Sequence, residues 1–140
     1  MSAAFDTVLI ANRGEIARRI LRTVKATGRR AAVVYHALDR DSPAVREADM
    51  AVEINGATPV AAYLDGEAVI AAAKKSGAGA VHPGYGFLSE NADFARKVAA
   101  AGLTFIGPTP EAVALMGDKV RARAFVAERG FPVAPSAIED

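Results

Sequence analysis

The stretch TVLIANRGEIARRILRTVKATG, residues 7–28, decides the fold. TVLIA is a short β-rich apolar run, the pattern of a strand covered on both faces. Asn12-Arg13-Gly14 turns the chain. Ile16, Ile20, Leu21 and Val24 then recur at helical spacing, with Arg18, Arg19, Arg22 and Lys25 on the other sides. Gly28 marks the stop. A strand feeding a helix through a glycine turn is the opening unit of a parallel α/β sheet.

The rest of the chain repeats that unit. Residues 31–35 form a second strand, and residues 44–48 a short helix. Residues 50–54 suit a third strand, and Asp65 caps a helix that packs Val69, Ile70 and Ala73 and ends near Gly77. Residues 80–82 make the next strand, closed by Pro83-Gly84-Tyr85-Gly86. Ser89 or Asn91 caps a helix holding Phe94 and Val98 that ends at Gly102, and residues 104–106 give the last clear strand. Asp118 caps a final helix over residues 119–129. The reading is a Rossmann-like, doubly wound parallel sheet over residues 1–116, followed over 117–140 by the first helix and linker of another domain.

Composition narrows the function. Lys and Arg number 17 against 16 acidic residues, a net charge of +1, which lacks the basic excess of a nucleic-acid binder. There is no cysteine, which removes disulfides, thiolate catalysis and Cys-ligated zinc and fits a cytoplasmic location. The N-terminus has no secretory pattern, and no apolar run reaches the roughly 18 residues of a membrane span. With His36 and His82 the only histidines, a histidine-rich metal site is not expected.

In open α/β sheets ligands settle beyond the carboxyl ends of the strands, and three turns lie there. Asn12-Arg13-Gly14-Glu15 has one of the three glycines a dinucleotide fingerprint requires; Asp39, where a ribose-binding carboxylate could fall, adds little. HPGYGFLSEN, residues 82–91, sets two glycines around Tyr85, so the backbone there can approach a partner or adopt φ > 0. His82 reads first as a histidine hydrogen-bonded to a loop carbonyl. Met116-Gly117-Asp118-Lys119 is not a Walker A loop, and Lys119 is either a solvated charge or a phosphate ligand.

Together these turns resemble the biotin carboxylase family. The matching segments are VLIANRGEIARRILR (8–22), HPGYGFLSEN (82–91), FIGP (105–108) and LMGDKVRAR (115–123), in the family's order and spacing. The resemblance implies an ATP-dependent ligase that uses ATP, Mg²⁺ and bicarbonate to carboxylate biotin on a carrier domain, alongside a carboxyltransferase, as in acyl-CoA carboxylases. It implies that residues 1–116 precede an ATP-grasp fold, that Lys119 contacts the nucleotide phosphates, and that Tyr85 and Gly86 lie beside the biotin ureido ring. Arg19 and Arg22 match the two-fold interface of dimeric members, but Ala26 stands where some of these carry an acidic partner. The isolated domain is therefore expected to be monomeric. His36 and Ala62 also depart from the family's usual residues, at positions given no role. By the same resemblance the catalytic base, the metal ligands and the phosphate lid fall beyond this stretch, so the fragment is expected to be inactive and to bind no cofactor strongly. The competing readings are a stand-alone binding or assembly module and the equivalent domain of another ATP-grasp ligase; HPGYGFLSEN, more specific than the fold, argues against the second.

Overall fold

The structure, a computed structural model, describes residues 5–135. Five parallel strands form one sheet: β1 (Thr7–Ile10), β2 (Arg30–Tyr35), β3 (Met50–Glu53), β4 (Ala80–His82) and β5 (Thr104–Phe105), in the order β3-β2-β1-β4-β5. The first strand is thus the middle one. Register runs Leu9 beside Ala32 on one side and beside Val81 on the other. The helices are α1 (Gly14–Ala26), α2 (Pro43–Glu47), α3 (Pro59–Tyr63), α4 (Gly66–Lys75), α5 (Ala92–Ala100), α6 (Pro110–Gly117) and α7 (Lys119–Ala127). A short 3₁₀ turn covers Ala37–Asp39.

Side chains alternate across each strand, so neighbouring residues enter different cores. Val8 and Ile10 join Ala31, Val33 and Ala80 under Ala17, Leu21 and Val24 of α1. Leu9 joins Ala32, Val34 and Val81 against Tyr63 of α3, Val69 and Ile70 of α4, and Phe94 and Val98 of α5. Burial on both faces explains why the strands read as continuous apolar runs.

The expected helices at α1, α2, α4, α5 and α7 are present, with ends shifted by one or two residues, as fraying ends do. Asp65, Asn91 and Asp118 each accept a backbone N–H at their helix starts. Two helices escape the sequence reading. Thr58 and Thr109 cap α3 and α6, each with a proline in the first turn. The expected start of a second domain falls partly on residues 136–140, outside the described residues. Among the described residues, no helix is long and apolar enough to cross a membrane.

Candidate functional site

Strand β1 ends at Ile10, and the next residues set up everything above the sheet. Ala11 donates its N–H to the His82 carbonyl at 2.8 Å, which brings the β1 and β4 exits together. Asn12 follows and is fully buried. Its Nδ2 donates to the carbonyls of Pro83 (2.8 Å) and Tyr85 (2.9 Å), while its Oδ1 accepts the Arg13 N–H. One carboxamide thus satisfies three backbone groups and fastens the β4 turn to the start of α1. Gly84 lies directly on it: a Cβ there would sit 2.6 Å from the Asn12 nitrogen, and φ is +67°. Both steric room and backbone conformation therefore demand glycine at that position.

The turn projects Tyr85, whose side chain is largely exposed at 63%. The phenol donates to Oε1 of Glu15 on α1 at 2.7 Å, and this hydrogen bond to a carboxylate raises the Tyr85 pKa. Gly86 (φ +67°) and Phe87 (φ +44°) both occupy the left-handed region, where a non-glycine residue is strained. His82 accepts the Gly84 N–H through Nδ1 at 3.0 Å, so it serves the loop as an acceptor rather than donating to a carbonyl. Burial lowers its pKa, which keeps the ring neutral and that nitrogen free to accept.

A second network stands beside the first. Asp39 takes a two-point ion pair from Arg13, at 2.8 and 2.6 Å, and a hydrogen bond from the Tyr63 hydroxyl at 2.8 Å. The Arg13 guanidinium holds the Asp39 carboxyl below the usual carboxylate range. Asp39 is therefore engaged by the protein itself, and its position carries no ribose-binding argument. Tyr63 is buried, which pushes its phenol up to about 12. Its hydroxyl also accepts the His36 N–H at 3.1 Å, and its ring meets that of Phe87 at 5.5 Å. Four exit segments (at residues 13, 36–39, 63 and 87) are thereby braced together. Tyr63→Phe should lower stability by about 1–3 kcal/mol, because it strands a backbone N–H and frees one lone pair of Asp39. Urea unfolding with an unchanged slope and a lower midpoint is the expected result.

The other residues singled out from sequence lie apart from this centre. Arg19 and Arg22 are exposed on α1. Arg19 donates to Thr23 at 2.7 Å, and Glu15, one turn earlier, accepts from Tyr85 instead of pairing with Arg19. Lys119 is exposed at the first position of α7. The preceding turn, Met116-Gly117, faces Ser89 and Glu90 across a small cleft of about 220 Å³. That places the Lys119 helix start beside the downstream end of the Tyr85 loop. Among the described residues, no three His, Asp or Glu side chains gather as a metal site. Neither Asn12 nor Tyr63 stands out from sequence as a site residue. A lone asparagine after a strand and a tyrosine in an apolar patch give no sign of partners so distant in sequence.

The profile of the biotin carboxylase N-terminal domain matches residues 4–113. A biotin carboxylase of Allochromatium vinosum is 50% identical over 135 residues, covering 96% of this chain and 30% of its own length. Among solved structures, the biotin carboxylase domain of a single-chain bacterial carboxylase is 54% identical with a TM-score of 0.88, covering 92% of this chain and 30% of that one. The biotin carboxylase domain of a thermophilic 2-oxoglutarate carboxylase bound to ADP is 42% identical with a TM-score of 0.90, covering 96% and 30%. The chain thus spans under a third of each relative. With its parallel five-stranded sheet, its Asn12-fastened turn and a profile match over most of its length, the chain belongs to the family of biotin carboxylase N-terminal domains.

Proposed function

We propose that this chain is the N-terminal part of an ATP-dependent ligase that carboxylates biotin on a carrier domain, with bicarbonate as the carbon source. The observation that carries the reading is the exposed Tyr85 on a strained turn fastened by Asn12, at the strand exits where α/β sheets bind ligands. Tyr85 and Gly86 are assigned to the biotin ureido ring, and Lys119 to the nucleotide phosphates as a point charge. When bound, ATP with Mg²⁺ supplies the activation of bicarbonate. This chain's own work is to bind and orient: Tyr85 offers a fixed aromatic edge, and Lys119 neutralises phosphate charge. Residues 1–116 are the domain before an ATP-grasp fold that residues 117–140 begin. The partners are a carrier domain and a carboxyltransferase, with Arg19 and Arg22 at a two-fold interface of the whole protein, monomeric behaviour for this piece alone, and the cytoplasm as the compartment.

Full-length protein carrying this chain tests the reading through ADP release. Turnover should require ATP, bicarbonate and biotin together, and the 140-residue chain alone should give none. Turnover by the full-length protein that ignores biotin would refute it.

A further inference from the structure

The Tyr85 turn is held to α1 at two points of different character. The Asn12 contacts are buried and grip the backbone, so they set where the turn lies. The Glu15 contact is exposed and grips only the tip of one side chain. Glu15 forms no ion pair among the described residues, and its neighbour at helical spacing, Arg19, is bonded to Thr23 instead. The Tyr85 ring is largely exposed, so packing does little to select its rotamer. The backbone beneath it, by contrast, is committed: Gly84, Gly86 and Phe87 all sit at positive φ, and Phe87 is braced on Tyr63. Strain in a braced turn that presents one exposed aromatic contributes little to stability and suits a contact made with something else.

We infer that Glu15 is a positioning residue, which acts through the Tyr85 phenol to hold the ring at the angle where it meets the biotin ureido group. This rests on the assignment of Tyr85 made above. The carboxylate accepts the phenol proton's hydrogen bond from a helix that is itself anchored in the core by Ala17, Leu21 and Val24. The ring's orientation is thereby referenced to the sheet rather than to its own turn. A group that only pre-orients a binding contact changes ground-state and transition-state binding alike, so its loss shows in KM more than in kcat.

Two measurements test the inference. In the 140-residue chain, phenolate absorbance at alkaline pH reports on the Tyr85 phenol. Glu15→Ala should move one step to lower pH, and should move none in a Tyr85→Phe background. In the full-length protein, Glu15→Ala should raise KM for free biotin about fivefold with kcat within about twofold, and Glu15→Gln, whose amide oxygen still accepts the hydroxyl, should restore most of the loss. In the Tyr85→Phe background Glu15→Ala should add nothing further. An unmoved phenol step, an unmoved KM, or an equal KM effect without the Tyr85 hydroxyl would overturn the inference while wild-type turnover stands. Wild-type protein without biotin-dependent turnover would instead overturn the carboxylase reading on which it rests.

Discussion

Leu9→Ala is expected to destabilise the chain by about 3–5 kcal/mol, the upper part of the range for truncating a buried leucine. Leu9 is fully buried on the middle strand, among side chains from β2, β4, α3, α4 and α5. The loss combines the transfer term for the removed carbons with a cavity that cannot close, since sheet partners on both sides fix the backbone. A domain of this size holds only about 5–15 kcal/mol in total, so the midpoint of thermal unfolding should fall by roughly 10 °C or more. Leu38→Ala is the control. Leu38 is 77% exposed, and its truncation should stay within about 0.5 kcal/mol. Similar effects from the two substitutions would mean that the sheet core is not where it is described.

Lys119→Ala should weaken ATP binding by the full-length protein about 10- to 150-fold, through loss of one charge-assisted phosphate contact of roughly 1.5–3 kcal/mol. Stability should hardly move, and physics fixes even the direction. Lys119 is exposed at the first position of α7, where the helix dipole disfavours a cation, so removing it relieves a small repulsion. The helix keeps its cap, because Asp118 accepts the N–H groups of Val120 and Arg121, both at 3.0 Å. A residue unfavourable for its own helix is a reasonable place to look for a ligand contact. Isothermal titration with ATP is the measurement, and unchanged affinity would show that the nucleotide site lies elsewhere.

How legible the chain is depends on which forces set each feature. Strands β1 and β2 and helices α1, α4 and α5 follow from apolar periodicity, because each buries one or both faces on the sheet. Helix α3 is too short for a period to show, and α6 is apolar nearly all round, so neither gives a stripe; only the Thr-Pro pair at each start marks them. At the site, the glycines around Tyr85 announce a special turn. What fastens it is silent in sequence. Helical spacing pairs Glu15 with Arg19, yet a phenol 70 residues away takes the carboxylate. Asp39 likewise stands where a ribose ligand could be sought, but Arg13 and Tyr63 occupy it. Tertiary partners of this kind outcompete local ones once the sheet has brought the strand exits together.

The Asn12 fastening also bears on how the chain is made. Asn12 and Tyr85 are 73 residues apart. At about 5–20 residues per second of synthesis, roughly 4–15 s separate the appearance of one from the other. Once β2 has followed, the middle strand has a neighbour on that flank and none on the other until β4 is made, which leaves an apolar strand edge open. The turn proposed to meet biotin therefore cannot be shaped early. It becomes ordered only when β4 docks, so a nascent chain stalled before residue 80 would expose a sticky sheet edge and lack the Tyr85 turn.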